Sequence, residues 1–487
     1  MTIPDKDPVF DVIVIGGGTA GMTVARQVAK AGKRVILIEA DRTGGECLYT
    51  GCVPSKTLLA SAKRLHQIRQ ARAFGIEVGD VSLDWAAVQA RREHAIATIE
   101  VSDTPDALEK AGIEVLSGAA RFLGERTVAV GNRQFRGGAI VIATGSVSTV
   151  PDIAGLDETD PRVHTSERLM EITTLPKRLA VIGGGPVGVE LGQAFARFGS
   201  EVTVLGRNAQ LLPAADREIS ALVAGALRDE RITIRTGAEV TRVDHGAVER
   251  MVTWRDPSGN EMSIDVDQIL VATGRTPRTS GLDLEIAGVE HGSRGIVVDD
   301  HLRTGAPGIW ACGDVIGPPF YTHAAEDQAR TVARNILGGR ATWSSDTIPW
   351  ATFCDPECAG VGLSEDAARA TCGDRLEVLR FPFSALDRAV TDGADTGLIK
   401  VLLAPGWTRG KLGGSVVGAH VCGERASEIV QQFAFLMTWK LPAGLLAKTV
   451  QAYPSYSLGA RQAIGMHWLT KASRSPSLFG RVRQLLM

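Results

Sequence analysis

A glycine-rich turn between an apolar run and an amphipathic segment constrains the fold of this chain more than any other feature. The glycines of this turn are Gly16, Gly18 and Gly21. In a G-x-G-x-x-G sequence the first glycine permits the tight turn, the second lets the backbone approach a pyrophosphate, and the third lets the helix lie close to the strand. The amphipathic segment from Met22 to Ala31 predicts that helix, and the next apolar run ends at Glu39, whose carboxylate can accept hydrogen bonds from ribose hydroxyls. The stretch therefore predicts a strand–helix–strand unit that binds a dinucleotide.

The same unit recurs later in the chain. The glycines of the second turn are Gly183, Gly185 and Gly188. An amphipathic segment to Phe198 and a strand at 202–205 follow, but the position equivalent to Glu39 is Gly206, with Arg207 directly after it. Losing a carboxylate and gaining a guanidinium favours a 2′-phosphate, which arginine binds bidentately. We predict NADPH rather than NADH at this second dinucleotide site; the alternative is that Arg207 is an ordinary exposed surface residue.

Each unit is followed by a short apolar run that ends in Ala-Thr-Gly. The first runs from Ile140 to Gly145 and contains Thr144, and the second runs from Ile269 to Gly274. Both are typical of a buried strand that leads into a glycine turn. We expect them to close the two units and to mark domain edges.

The pattern changes in the last third of the chain. Asp314 follows a buried run and a glycine, where it can bind sugar-alcohol hydroxyls, although helix N-capping alone would also explain an aspartate there. From about Ile348 short strands follow one another, and helices come after Ser427. We therefore expect two α/β dinucleotide units and a separate α+β domain.

Two cysteines lie just before another predicted helix. Cys47 and Cys52 are separated by four residues, and Pro54 would fall in the first turn of the helix. A helix N-terminus carries partial positive charge, which favours thiolate over thiol, so the pair suits redox chemistry. Two buried core cysteines, or half of a metal site, are the alternatives, but zinc usually requires shorter spacings and a second Cys or His pair nearby. We predict no metal site.

The charge and cysteine content of the chain argue against several classes of binding partner. Lys plus Arg number 53 and Asp plus Glu 55, for a net charge of −2, which favours neither nucleic acid nor an acidic membrane surface. Seven cysteines do not make a secreted disulfide framework, and the first residues lack the apolar core of a signal peptide. No apolar run reaches the roughly 18 residues of a membrane span. We expect a cytoplasmic protein of three or so domains without an integral membrane segment.

In their order along the chain, these motifs resemble the class I flavoprotein disulfide reductases, which include dihydrolipoamide dehydrogenase, glutathione reductase and mercuric reductase. The resemblance covers nearly the whole chain and implies an α/β fold with two Rossmann-like, three-layer ββα domains for FAD and NAD(P), plus an α+β dimerisation domain. The implied boundaries are 1–150 for the FAD domain with the redox disulfide, 151–275 for the NAD(P) domain, 276–345 for a central part that completes the FAD domain, 346–470 for the dimerisation domain and 471–487 for a basic tail.

The resemblance also implies how the site residues act. NADPH would give hydride to FAD, the flavin would reduce a Cys47–Cys52 disulfide, and the dithiol would reduce the substrate. Cys52 is similar to the flavin-proximal thiolate, which forms a charge-transfer complex, and Cys47 to the interchange thiol that meets substrate. Lys56 and Glu190 are similar to the ion pair near flavin N5, where a cation stabilises the reduced flavin. A homodimer would complete each active site with residues of the partner subunit.

The C-terminal region departs from the disulfide-reductase pattern. Where dihydrolipoamide dehydrogenase and glutathione reductase have His-Pro and then a Glu, this chain has Tyr453-Pro454 and then Leu458. An imidazole has a pKa near working pH, whereas the pKa of tyrosine is about 10, so tyrosine is a poor substitute in acid–base chemistry. Mercuric reductases also lack the His, and a soft metal ion bound by thiolates needs no general acid. They carry a C-terminal cysteine pair, however, and no cysteine follows Cys422 in this sequence.

Several functional hypotheses follow. We favour an NADPH-dependent FAD oxidoreductase, similar to the mercuric-reductase branch, with an unidentified small-molecule or metal-ion acceptor. The alternatives are a dihydrolipoamide or other small-disulfide reductase that uses Tyr453 as acid and base, a mercury(II) reductase, and a flavin-binding subunit with little turnover. Tyr453 and Tyr456 either orient substrate across a dimer interface or fill that interface. The other cysteines are expected to be inert thiols. The basic, amphipathic tail is expected to be a helix docked on its own subunit, with a membrane-surface contact as the alternative.

Overall fold

The computed structural model describes residues 9–246, 249–404 and 413–474. Two α/β units come first, a return segment then adds a strand to the first unit, and an α+β unit follows. The predicted fold class is thereby confirmed.

The first unit is a mixed sheet with helices packed on it. Its elements are β1 (Val9–Ile15), α1 (Thr19–Lys30), β2 (Val35–Glu39), α2 (Gly45–Tyr49), α3 (Cys52–Arg69), α4 (Trp85–Glu100), α5 (Pro105–Lys110), β3 (Ile113–Ser117), β4 (Ala120–Gly124), β5 (Thr127–Val130), β6 (Arg133–Ile142) and β7 (Ser146–Ser148). The strand order is β3-β2-β1-β6-β5-β4, and β1 pairs in parallel with both β2 and β6. Because side chains alternate along a strand, Val12 and Val14 pack against α1 while Ile13 and Ile15 pack on the other face with Phe122.

Two helix starts show how the sequence positions the site. Helix α1 begins at Thr19, three residues before the predicted start, because Gly18 already has the extended conformation of an N-cap. Helix α3 begins at Cys52, with Pro54 in its first turn. Proline suits this position because its missing N–H has no intrahelical partner there. The second start agrees with the sequence expectation.

The second unit repeats the first in outline. Its elements are β8 (Val163–His164), α6 (Ser166–Leu169), β9 (Arg178–Ile182), α7 (Pro186–Phe198), β10 (Glu201–Gly206), α8 (Arg217–Asp229), β11 (Thr233–Thr236), β12 (Glu239–His245), β13 (Arg250–Arg255), β14 (Glu261–Val266), β15 (Gln268–Val271) and β16 (Arg275–Pro277). The parallel sheet has the order β11-β10-β9-β15-β8, and β12-β13-β14 form an antiparallel sheet. Leu179 and Val181 face the helices and pack with Phe195, whereas Ala180 and Ile182 face the antiparallel sheet. The unit therefore has three layers: the antiparallel sheet, the parallel sheet and the helices.

The remaining chain contains the return segment and the third unit. The elements are β17 (His291–Gly292), β18 (Gly295–Ile296), β19 (Ile309–Ala311), α9 (Thr322–Ile336), β20 (Trp350–Thr352), β21 (Cys358–Gly362), α10 (Glu365–Cys372), β22 (Glu377–Pro382), α11 (Asp387–Thr391), β23 (Leu398–Ala404), β24 (Ser415–Cys422), α12 (Ala426–Thr438), α13 (Gly444–Lys448) and α14 (Leu458–Arg474). Strand β19 pairs in parallel with β6 of the first unit, and β7 pairs with β16 where the first two units meet. The third unit is an antiparallel sheet, β20-β21-β24-β23-β22.

The last described helix crosses the boundary predicted at residue 470. Helix α14 continues to Arg474, so the first residues of the predicted tail extend this helix. The predicted tail from 475 to 487 lies outside the described residues.

Candidate active site

Both glycine turns and both redox cysteines border one large cavity. Its volume is about 2250 Å³. The predicted site residues in its wall are Gly16, Gly18, Glu39, Cys47, Cys52, Lys56, Thr144, Gly145, Gly183, Gly185, Glu190, Arg207, Gly274 and Asp314. Segments that are far apart in sequence, and belong to both α/β units, are therefore brought to one space.

The first glycine turn has the geometry that a pyrophosphate needs. Gly16 has a φ of +107°, and a Cβ at this position would lie 2.2 Å from the Ala143 carbonyl oxygen. Gly21 allows α1 to approach the turn, because a Cβ there would lie 1.8 Å from the Gly16 oxygen. No atom lies within 4 Å of a Cβ built on Gly18, so its backbone is open to the cavity. Glu39 ends β2, and its carboxylate accepts a hydrogen bond from the Gly17 N–H at the cavity wall.

Polar groups from the return segment complete this half of the cavity. Asp314 Oδ2 accepts a hydrogen bond of 2.6 Å from Ser146 Oγ, and burial raises the pKa of Asp314. Thr144 and Gly145 follow β6, and Thr144 Oγ1 donates to the Arg278 carbonyl at 2.7 Å. An open glycine backbone for phosphates, with Glu39 and Asp314 for sugar hydroxyls, fits FAD.

The second glycine turn repeats this geometry without the carboxylate. Gly183 has a φ of +129°, and a Cβ on Gly188 would lie 2.1 Å from the Gly183 oxygen. Gly185 is open in the same way as Gly18. Strand β10 ends at Gly206, and the exposed Arg207 follows it in the cavity wall. This half fits a second dinucleotide, with a guanidinium where the first unit has Glu39.

The two cysteines lie at consecutive helices, Cys47 on α2 and Cys52 at the first position of α3. The pKa of Cys52 is lowered to about 6, mainly by the hydrogen bond from Cys47 and also by the Thr322 hydroxyl and the Lys56 charge, while burial and Glu190 act in the opposite direction. The same hydrogen bond, followed by burial, raises the pKa of Cys47. At neutral pH, one proton is therefore held on Cys47 and Cys52 is the thiolate.

A lysine–glutamate pair lies beside the thiols. Lys56 Nζ is 2.9 Å from Glu190 Oε2, and Glu190 Oε1 accepts from the Phe353 N–H at 2.8 Å. Burial lowers the pKa of Lys56, but the charge and hydrogen bond of Glu190 outweigh it, so the pKa of Lys56 is raised. A permanent cation thus faces the cavity next to Cys52. From the sequence alone, Lys56 and Glu190 would be predicted to be solvent-exposed residues on helices.

A second charged cluster surrounds Arg275. Its guanidinium bonds Glu46, the residue before Cys47, and its Nε donates to Ser146 Oγ at 2.8 Å. Glu167 Oε1 lies 3.7 Å from Nη1 of the same guanidinium. Burial raises the pKa of Glu46 to about 7, although Arg275 acts in the opposite direction. The cluster ties α2, which carries Cys47, to the paired strands β7 and β16.

The two tyrosines of the C-terminal region differ in environment. Tyr453 is 71% exposed and donates to Asp387 Oδ2 at 2.9 Å, and it is not part of the cavity wall. Tyr456 is buried in the core of the third unit and donates to Asp392 Oδ2 at 3.0 Å. Within one subunit, Tyr453 is therefore separate from Cys47, and the environment of Tyr456 favours a structural role.

The other thiols lie away from the cavity wall. Cys354, Cys358 and Cys422 pack together in an apolar core, and burial raises the pKa of Cys312 to about 12. In the part of the chain that the structure describes, no group of His, Cys, Asp and Glu has the arrangement of a metal site. Among the described helices, we find none with the length and apolar character of a membrane span.

Three residues of the site were not predicted from the sequence. The Thr322 hydroxyl contacts both sulfurs, Arg275 bonds Glu46, and the Phe353 N–H donates to Glu190. The only available signals were weak: Thr322 begins a helix-forming run, and Arg275 directly follows the second Ala-Thr-Gly. Their roles depend on contacts between distant segments.

Comparison with known proteins agrees with this geometry. Residues 10–329 match the model of the pyridine nucleotide-disulphide oxidoreductase family, and residues 348–464 match its dimerisation domain. A mercuric reductase of Bacillus cereus is 34% identical, over 93% of this chain and 71% of the relative. A dihydrolipoyl dehydrogenase of Thermus scotoductus is 36% identical, over 93% of this chain and 96% of the relative.

A solved structure gives the same assignment. The HOCl-induced flavoprotein disulfide reductase RclA of Escherichia coli superposes with a TM-score of 0.81 at 31% identity, covering 94% of this chain and 99% of that protein. The family is FAD-dependent and uses NAD(P)H. The glycine turns, the thiol pair and these similarities lead to one conclusion: this chain is an oxidoreductase that belongs to the pyridine nucleotide-disulphide oxidoreductase family.

Proposed function

We propose that this protein passes electrons from NADPH through FAD to a Cys47–Cys52 disulfide, and from the resulting dithiol to an acceptor outside the protein. One observation carries the proposal: the two thiols border the same cavity as both glycine turns, and the pKa of Cys52 is lowered to about 6. When bound, FAD supplies a two-electron carrier between a nicotinamide and a disulfide. The residues that would hold it are those of the first glycine turn, with Glu39, Thr144, Gly145 and Asp314.

The chain's own side chains would have distinct roles. Cys52 supplies a thiolate at neutral pH, and Cys47 is the thiol that meets the acceptor. Lys56, fixed by Glu190, keeps a positive charge beside Cys52, where it stabilises negative charge. Gly183, Gly185, Gly188, Gly274 and Arg207 would hold NADPH.

The acceptor we favour is one that needs no imidazole base, and thiophilic metal ions have this property because thiolates bind them directly. The support is the tyrosine at position 453, the mercuric reductase among the relatives, and the determination of RclA as a Cu(II) complex. The dihydrolipoyl dehydrogenase relative supports a second candidate, a small disulfide. In that case Tyr453 would take the acid–base role.

An anaerobic titration with NADPH tests the proposal. A thiolate-to-flavin charge-transfer band should develop at two electron equivalents and should be absent from Cys52→Ser. The acceptors to compare are mercuric ion, cupric ion, oxidised glutathione and lipoamide. Fast lipoamide turnover that is unaffected by Tyr453→Phe would contradict our argument about the acceptor.

The nucleotide preference is a separate prediction. We expect Arg207→Ala to raise the KM for NADPH by about tenfold or more, because a charge-assisted contact with the 2′-phosphate is lost, and to leave the KM for NADH nearly unchanged. Arg228→Ala, an exposed arginine on α8 outside the cavity wall, is the matched control. Steady-state kinetics with both nucleotides measure the effect, and an unchanged NADPH preference in Arg207→Ala would refute the assignment.

We further propose that the protein is a homodimer in which the partner's third unit closes each active site. The chain carries the family's dimerisation domain. Large apolar side chains on that unit are exposed in a single subunit, among them Trp439 at 66% and Val450 at 91%. Burying such residues in an interface is favourable. Sedimentation of the purified protein tests the assembly, and a monomer would contradict it.

A further inference from the structure

Thr322 contacts both redox sulfurs. It is the first residue of α9, and its Oγ1 lies 3.3 Å from Cys47 Sγ and 3.5 Å from Cys52 Sγ. In the described part of the chain, this hydroxyl has no other hydrogen-bond partner, and it does not cap its own helix. The short helix α2 and the N-terminal ends of α3 and α9 thus meet at one oxygen atom.

The chemistry of the thiol pair requires a proton to leave Cys47. In the reduced pair, Cys52 is the thiolate and Cys47 keeps the proton. Cys47 must lose this proton before it can attack a disulfide or bind a metal ion, because only the thiolate is a nucleophile and ligand. Within one subunit, the hydroxyl of Tyr453 is bound to Asp387, away from the cavity wall.

Four titratable groups near the pair make other contacts. Lys56 and Glu190 bond each other, and the second oxygen of Glu190 accepts from Phe353. Glu46 is bound to Arg275. His323, the neighbour of Thr322, lies with Nε2 at 2.6 Å from the Pro349 carbonyl, which can only accept, so this nitrogen carries a proton. Thr322 is the polar group that contacts both sulfurs.

We propose that the Thr322 hydroxyl is a proton relay between Cys47 and Cys52. A hydroxyl can accept one hydrogen bond while it donates another. In the relay, the Cys47 S–H turns from the Cys52 sulfur, to which it donates in the reduced pair, to Oγ1, and the Thr322 O–H turns from Cys47 to donate to the Cys52 thiolate. When both protons shift, one S–H and one O–H bond break, one O–H and one S–H bond form, and no electrons move.

Before the proton shift, Cys47 is a thiol and Cys52 is a thiolate. After it, Cys47 is the thiolate and Cys52 is the thiol. The structure has the hydroxyl donating to Cys47, the orientation that stabilises a Cys47 thiolate, while the contact with Cys52 admits either direction. The Cys52 thiolate would thus act as the base for Cys47. The inference rests on the proposed function, in which these two residues are the working dithiol.

Thr322→Val and Thr322→Ser test the relay in the FAD-loaded enzyme reduced by two electron equivalents. Valine has nearly the same shape but no hydroxyl, and serine restores the hydroxyl. In Thr322→Val we expect the apparent pKa of the charge-transfer band to rise by about one to two pH units, and alkylation of Cys47 by iodoacetamide at pH 7 to slow by about tenfold. Thr322→Ser should restore both values towards those of the wild type.

Stopped-flow measurements separate the relay from a structural role. Reduction by NADPH should proceed at the wild-type rate in Thr322→Val, whereas reoxidation by a small aromatic disulfide should slow by about tenfold or more. Equal FAD content in all variants controls for folding.

Two outcomes would be decisive. If Thr322→Val has the wild-type pKa of the charge-transfer band, the wild-type alkylation rate of Cys47 and the wild-type reoxidation rate, the proton passes directly between the sulfurs. The relay would then be wrong. Absence of the charge-transfer band from the wild-type enzyme would overturn the proposed function itself. The two failures are therefore distinguishable.

Discussion

Cys52→Ser should lower NADPH-dependent reduction of any acceptor that requires the dithiol by at least about a thousandfold, because removing a reacting group commonly costs several orders of magnitude. The serine hydroxyl cannot form the disulfide with Cys47, and it stays protonated where the pKa of the Cys52 thiol is about 6. The measurement is steady-state turnover with each acceptor, together with the anaerobic NADPH titration.

The control for this variant is Cys372→Ser, which alters a half-buried thiol at the end of α10, outside the cavity wall. It should retain wild-type turnover. FAD retention by Cys52→Ser shows that the fold is intact. Wild-type acceptor reduction in Cys52→Ser would mean that electrons leave the flavin without using the thiol pair.

The second large effect is on stability, at a buried lysine that joins the second and third units. Lys400 on β23 is 2% exposed, and its Nζ lies 2.8 Å from Asp216, 3.1 Å from Glu218 and 2.6 Å from Glu365. Removing one partner of a buried ion pair leaves an unpaired buried charge. We expect Lys400→Met to lower the free energy of unfolding by about 3–5 kcal/mol, measured by urea denaturation.

The pH dependence of this effect has a defined sign. Burial raises the pKa of Asp216, but the hydrogen bond and charge of Lys400 outweigh it, so the folded-state pKa is below the unfolded value. The stabilisation from Asp216 is therefore complete at neutral pH and is lost as the pH falls through its folded pKa. The difference between wild type and Lys400→Met should shrink as the pH falls, beginning above the ordinary aspartate pKa of about 3.9, because burial without the lysine makes the carboxyl of the variant neutral first.

The control for Lys400 is Arg242→Ala. Arg242 and Asp244 form an ion pair of 2.7 Å on β12, with both side chains more than two-fifths exposed. Exposed pairs of this kind contribute about 0–1 kcal/mol, so we expect little change in the urea midpoint. Equal losses in Lys400→Met and Arg242→Ala would contradict the role of burial.

The site residues differ in how far the sequence could predict them. Gly16, Gly21, Gly183 and Gly188 were identified with their reasons, because each allows a close approach to a backbone oxygen within a few residues or on the next strand. Helix α3 was expected near Cys52 because proline and the apolar period are local signals. The sequence predicts the start of α1 three residues too late, because a glycine-rich stretch does not reveal that Gly18 is the N-cap.

The sequence by itself therefore determined the two dinucleotide units, their order and the position of the thiol pair, because glycine turns and alternating apolar residues act over short distances. Only the tertiary structure decided what surrounds the sulfurs. Thr322 reaches Cys47 across 275 residues, and Lys56 meets Glu190 across 134. Such contacts depend on how helices pack on the sheets of different units, and no local pattern encodes that packing. The proton chemistry that we assign to this site follows from those long-range contacts.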